Sequence, residues 1–169
     1  GGRKETNQDF HGALIPKEPL LSSKGIAVLL ADGLSGSDVS HIAAESTVKS
    51  FLTDYYCTPE TWSTKTSAHR VLAATNSWLH AETKRSRDPY DREKGYVCTV
   101  SAVVIRSTTA HIFHAGDSRV YRVAGNALEP LTNDHRLVIS SEQKYLSRAL
   151  GIDQQVEIDY VATSVHPGS

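Results

Sequence analysis

Residues 26–31, Ile26-Ala27-Val28-Leu29-Leu30-Ala31, form an unbroken apolar run of strand length that stops at an acid. Six apolar side chains in succession predict a strand buried on both faces, since a half-exposed strand would alternate. Asp32-Gly33-Leu34-Ser35-Gly36 follows at once, small and turn-forming, so the acid is expected at the rim of a sheet. Taken alone, an Asp-Gly pair is more often an ordinary turn closing a strand. Beyond it the period changes. Ala44, Val48, Phe51, Leu52 and Tyr55 recur at helical spacing, which predicts an amphipathic helix from a cap at Ser37 or Asp38 to about residue 56. After a break at Cys57-Thr58-Pro59-Glu60-Thr61, Val71, Leu72, Thr75, Trp78 and Leu79 give a second helix its face between about residues 67 and 84.

The second half of the chain is patterned as β structure. Residues 97–106 and 109–115 flank a Ser107-Thr108 turn, and 118–124 and 127–131 flank Gly125-Asn126, which together predict an antiparallel meander. Gly116-Asp117 falls at the junction of two of these strands. Residues 131–135 form a polar loop, and Ser140-Ser141-Glu142-Gln143 reads as a capping box for a short helix carrying Tyr145, Leu146 and Leu150 and closed by Gly151. Residues 156–162 alternate as a further strand before a turn at the end of the sequence. Pro16, Pro19, Ser22 and Ser23 make 12–24 a loop or hairpin connection, and the mixed charges of 84–94 a solvated loop.

Composition narrows the function classes without choosing one. The 169 residues are 39% hydrophobic and 22% charged, enough for one sizeable core. A formal net charge of -1 gives no reason to expect nucleic acid or an anionic membrane as partner. The sequence has neither a long apolar span nor a leader, which leads us to expect a cytoplasmic protein. Cys57 and Cys98 lack metal-type spacing and read as buried thiols. His41, His69 and His80 fall on the two helices without an acid or histidine at ligand spacing and read as ordinary, partly exposed histidines. The sequence lacks methionine and opens on Gly1-Gly2-Arg3-Lys4, so we expect a segment of a longer protein, incomplete at both ends.

Several polar motifs remain, each weak alone: Asn7-Gln8-Asp9, Ala31-Asp32-Gly33 with Ser35-Gly36, Gly116-Asp117-Ser118-Arg119, Leu131-Thr132-Asn133-Asp134-His135 and Leu146-Ser147-Arg148-Ala149-Leu150-Gly151. Their order along nearly the whole chain resembles the metal-dependent protein serine/threonine phosphatases, the PPM family, in its bacterial form. The resemblance implies that 1–169 is one α+β domain, a four-layer αββα sandwich of two antiparallel sheets flanked by helices. It also implies a site for two Mn²⁺ or Mg²⁺ ions, with a third, weaker one. By resemblance Asp32 bridges the two metals, Gly33 offers its carbonyl, Asp9 binds on the second metal's side and Asp117 helps hold the third. The chemistry is coherent, because hard cations take oxygen ligands, neutralise a phosphate monoester and lower the pKa of a water that attacks phosphorus directly.

The sequence also departs from the family pattern. The arginine that grips phosphate has Lys4 in its place, with Arg3 one step earlier, so one or the other is expected to bind the phosphate. A lysine supplies charge without the bidentate fork of arginine. Leu34 stands where some members carry a histidine general acid, Ser35 replaces a glycine, and Val97-Cys98-Thr99 replaces Gly-Thr-Thr. Two later aspartates of the family lie beyond Ser169. Three readings stay open: a phosphatase for phosphoserine and phosphothreonine in proteins, a catalytically degenerate module that binds a phosphoprotein or regulates a partner kinase, and a hydrolase of small phosphates. The wording of 3–9 also resembles bacterial members fused to a protein kinase.

Overall fold

The computed structural model describes residues 9–34, 38–85, 95–116 and 149–166, together with the backbone of 121–124 and 127–130. In chain order the elements are β1 (Asp9–Leu14), α1 (Leu20–Lys24), β2 (Ile26–Gly33), α2 (Asp38–Asp54), a 3-10 turn (Tyr55–Cys57) and α3 (Thr64–Arg85). Then come β3 (Cys98–Arg106), β4 (Thr109–Ala115), β5 (Tyr121–Ala124), β6 (Ala127–Pro130) and β7 (Asp159–Ser164). The architecture is α+β, as expected. Five strands form an antiparallel sheet in the order β1-β2-β3-β4-β7, and β5 pairs with β6 in a separate two-stranded sheet. The expected single meander therefore breaks after β4. Local turn signals cannot show which strand a later one pairs with, and β4 takes β7 as its second neighbour.

β2, the second strand of the sheet, corrects one expectation. Its apolar run is not buried on both faces: Ala27, Leu29 and Ala31 are 0%, 1% and 0% exposed, whereas Val28 and Leu30 are 45% and 49% exposed. The buried set faces α2, which packs across β1 and β2, while α3 packs on α2 and reaches β4. The core between these layers joins Val48, Phe51 and Tyr55 of the α2 region and Leu72 and Leu79 of α3 to Val100, Ala102, Val104 and Phe113 of the sheet. Each large side chain buried there contributes ~2 kcal/mol.

Both long helices form where the apolar period predicted them. Trp78 is the exception on α3: it lies 47% exposed, tilted against Tyr96 with ring centroids 6.5 Å apart. α1 is an element the pattern did not reveal, because Leu20-Leu21-Ser22-Ser23-Lys24 is a single turn or so and too short to show a period. Gly25 ends it with φ 84°, its N–H donating to the carbonyls of Leu20 and Leu21. Cys57 is exposed at the end of the 3-10 turn, not buried as expected, whereas Cys98 is buried in β3. The expected helix after residue 140 lies outside the described residues, apart from Ala149 and Leu150 at its end. Leu150 itself forms an isolated antiparallel bridge with Cys98.

Candidate metal centre

The two carboxylates singled out in the sequence meet at one end of the sheet. β1 and β2 are antiparallel with Asp9 directly opposite Asp32. Directly opposed residues on neighbouring strands share a face, with Cβ atoms roughly 4.5–5.5 Å apart, and like charges so placed repel. Asp9 is exposed, whereas Asp32 is half-buried and its Oδ1 is shielded from solvent.

Gly33 continues the rim under the first turn of α2. A Cβ on Gly33 would lie 2.7 Å from both the carbonyl oxygen and the Oγ of Ser40, which is itself buried, so only glycine lets the strand end approach the helix this closely. That approach also brings the positive end of the α2 dipole to the rim, favourable for negative charge. On the other side β2 pairs with β3, setting Thr99 opposite Asp32 and Cys98 opposite Gly33. Leu34 donates its N–H to the Val97 carbonyl at 3.0 Å, which fixes the chain where it leaves the strand.

Cys98 is no nucleophile. Burial pushes its thiol up to about 12, with the Asp32 carboxylate adding to the rise and the Thr47 hydroxyl, 3.3 Å from Sγ, partly opposing it. At neutral pH it stays protonated. Gly116, the glycine of the predicted Gly-Asp junction, ends β4 with φ 116° and packs over Thr99, the residue opposite Asp32; a Cβ there would sit 2.6 Å from that of Thr99.

Of the expected site residues, the fold brings together Asp9, Asp32 and Gly33, with Gly116 close by. Arg3, Lys4 and Asp117 lie outside the described residues. Among the described residues no group of three or more His, Cys, Asp or Glu is gathered to hold a metal. The donors present do fit a hard divalent cation: two carboxylates and a strand-end carbonyl supply oxygen only, and a cation would turn the repulsion of the opposed pair into attraction. His41, His69 and His80 are partly exposed, in keeping with their reading as ordinary histidines. Of Ser40 and Thr99, which wall the rim, the sequence named only Thr99, as part of the Val97-Cys98-Thr99 departure, and neither as a site residue. Their side chains carry no metal-type spacing; the strand register places Thr99, and the close approach of Gly33 to α2 places Ser40.

Comparison with known proteins gives this geometry its class. Residues 2–157 match the family model described as Protein phosphatase 2C, and the chain belongs to that family, the one its motif order resembles. A protein phosphatase 2C-type protein of Streptococcus pyogenes is 33% identical over 145 residues, covering 82% of this chain and 53% of that one. A serine/threonine phosphatase of Listeria welshimeri is 29% identical over 154 residues, covering 78% of this chain and 58% of its own length. The chain thus spans about half the length of these curated relatives. Among solved structures, the serine/threonine phosphatase Stp1 from Staphylococcus aureus matches with TM-score 0.76 at 15% identity, over 97% of this chain and 68% of that one. The S. agalactiae serine/threonine phosphatase matches with TM-score 0.74 at 24% identity, over 98% and 72%. These likenesses concern the fold.

Proposed function

We propose that this chain carries the first part of the active site of a phosphoprotein phosphatase that hydrolyses phosphoserine and phosphothreonine with divalent metal. The observation that supports it best is the register of β1 on β2, which sets two carboxylates face to face at an open strand end in a member of the protein phosphatase 2C family. Asp32 and Asp9 would hold two Mn²⁺ or Mg²⁺ ions, helped by the Gly33 carbonyl, and Asp117 a third, weaker one. When bound, such ions neutralise the phosphate dianion and lower the pKa of a water. Arg3 or Lys4 would bind the phosphate of the substrate. Leu34 carries no proton to give, so the serine or threonine leaving group would take its proton from a metal-bound or solvent water.

The reading extends to 1–169 as one domain of this kind, in a cytoplasmic protein whose partners are phosphorylated proteins and a fused or cognate kinase. Among the described residues no helix is long and apolar enough to cross a membrane. A second reading, a degenerate module that binds a phosphoprotein, draws on Leu34 at the place of a possible general acid.

Hydrolysis of a phosphothreonine peptide separates the two. The protein carrying this chain is assayed with and without Mn²⁺, beside Asp32→Ala. Turnover that a chelator abolishes and the substitution removes supports the enzyme. No turnover from folded protein in excess Mn²⁺ hands the site to the binding reading, and faster turnover of small phosphates than of the peptide points to the third class.

A further inference from the structure

His114 is wholly buried, and both of its ring nitrogens are engaged: Nδ1 lies 3.1 Å from the Ser101 Oγ and Nε2 lies 2.9 Å from the Gly116 carbonyl oxygen. We propose that His114 is a positioning residue for the metal centre, its ring holding the Gly116 peptide and so directing the chain as it leaves β4 beside Thr99 and Asp32. The proposal rests on the metal-centre reading above.

A carbonyl oxygen only accepts, so Nε2 must carry the proton. In the neutral ring Nδ1 is then the acceptor, and the Ser101 hydroxyl donates to it. Ser101 is 9% exposed and stands directly opposite His114 on β4 and opposite Leu30 on β2. Thr99, two residues before Ser101 on the same face, stands opposite Asp32, which in turn faces Asp9. The histidine row therefore lies one step inward from the carboxylate row. A buried imidazole costs desolvation that an apolar residue of similar volume avoids.

The bond from the ring reaches only two residues ahead, yet it sets a whole peptide plane. Because that plane is rigid, fixing the Gly116 carbonyl fixes the peptide at the end of β4, against the Thr99 side chain. The φ of 116° at Gly116 is one that L side chains rarely adopt, and a Cβ there would lie 2.4 Å from the Thr99 Cγ2. Glycine has the widest conformational freedom of any residue, and the bond from the ring restricts it here. Groups that orient metal-binding segments in this way typically change metal affinity ~10-fold or more when lost.

The test compares His114→Gln with His114→Asn in the protein carrying this chain, titrated calorimetrically with Mn²⁺ alone. The Gln amide nitrogen reaches about as far as Nε2 and can donate to the Gly116 carbonyl, whereas that of Asn stops near the position of Nδ1. Expected is Mn²⁺ affinity within about threefold of wild type for Gln and weaker by ~10-fold for Asn. Equal affinities in the two variants would reduce His114 to a packing residue and overturn the proposal. Should both variants fail to fold, Ser101→Ala carries the test, expected to weaken Mn²⁺ by several-fold while unfolding stays cooperative, and unchanged affinity overturns it. Long-range ¹H–¹⁵N spectra of the unsubstituted protein give a second readout: the Nε2–H form is expected, and an Nδ1–H form excludes the bond. Wild type that takes up no Mn²⁺ defeats the metal centre and this inference together. Tight binding that His114→Asn leaves untouched defeats the inference alone.

Discussion

The two ends of β2 are built on opposite principles. Where the strand begins, Lys24, Tyr55 and Tyr56 find hydrogen-bond partners within the fold. Lys24, 3% exposed, sets its Nζ 2.6 Å from the Thr58 Oγ1, 3.3 Å from the Pro59 carbonyl and 5.6 Å from the Tyr55 ring centroid. Tyr55 donates its hydroxyl to the Lys24 carbonyl and Tyr56 to the Gly25 carbonyl, both at 2.7 Å. Burial lowers the Lys24 pKa and the Arg106 charge lowers it further, Glu60 acting the other way. Burial likewise pushes the Tyr56 hydroxyl up to about 12. Where the strand ends, Asp9 and Asp32 oppose each other with the same sign of charge. One end gathers polar side chains around a buried lysine, and the other sets two like charges against each other, a repulsion that the proposed cation would offset. A site and a structural clamp can thus share one strand of eight residues.

Four substitutions or conditions break or sharpen this contrast. The largest effect is expected from Asp32→Asn, which should lower metal-dependent turnover by about three orders of magnitude. The same change should leave the metal-free protein about 0.5 kcal/mol more stable, since it removes a directly opposed like charge. Urea unfolding in chelator checks the second half, and a clear loss of stability there would mean that Asp32 is a structural residue. Gly25→Ala at the opposite end should cost about 3 kcal/mol, because φ is 84° and the new Cβ would strike the Ile105 carbonyl. A loss below about 0.5 kcal/mol on urea unfolding would show that this end yields more readily than its packing implies. Tyr55→Phe, which deletes one buried hydroxyl, should cost about 1 kcal/mol and leave Mn²⁺ affinity as it was.

The fourth test lies away from both ends. Burial lowers the pKa of His69, with Lys65 adding to the effect, and burial lowers that of His111, with Arg106 adding. Folded values below the unfolded value of about 6.5 mean that the unfolded chain binds protons first as the solution is acidified. Their contribution to stability is therefore complete above about pH 6.5 and is lost as pH falls through the depressed folded values. Urea midpoints measured from pH 7.5 to 5 should fall, and replacing both histidines by Gln should flatten that part of the profile.

Much of this architecture was legible in the sequence wherever its cause is local. The periods of α2 and α3, the turn at Ser107-Thr108 and the halt of the apolar run at Asp32 all depend on residues within a turn or two of one another. What stayed hidden depends on partners far along the chain. The run 26–31 gave no sign that Val28 and Leu30 would face away from the helices, because apolar residues at an exposed part of a sheet look the same in sequence as buried ones. The split between the five-stranded sheet and the β5–β6 pair was hidden for the same reason.

The site was legible as residue types in a family order, and Asp32 also as a strand end. Its geometry was not. The register that sets Asp9 against Asp32 comes from a hairpin whose long connection contains α1, an element too short to leave a pattern. His114 was hidden in plain alternation: Ala110, Ile112 and His114 share one face of β4, and only the contacts of the ring distinguish it from its apolar neighbours.

The most direct test of the opposed carboxylates as a cation site is urea unfolding of the protein with Mn²⁺ at about one hundred times its dissociation constant, beside Asp32→Asn and Asp9→Asn. The account predicts that Mn²⁺ stabilises wild type by about 2.7 kcal/mol and that either substitution removes most of this gain. A gain of equal size in the Asp32→Asn protein, or none in wild type, would contradict it.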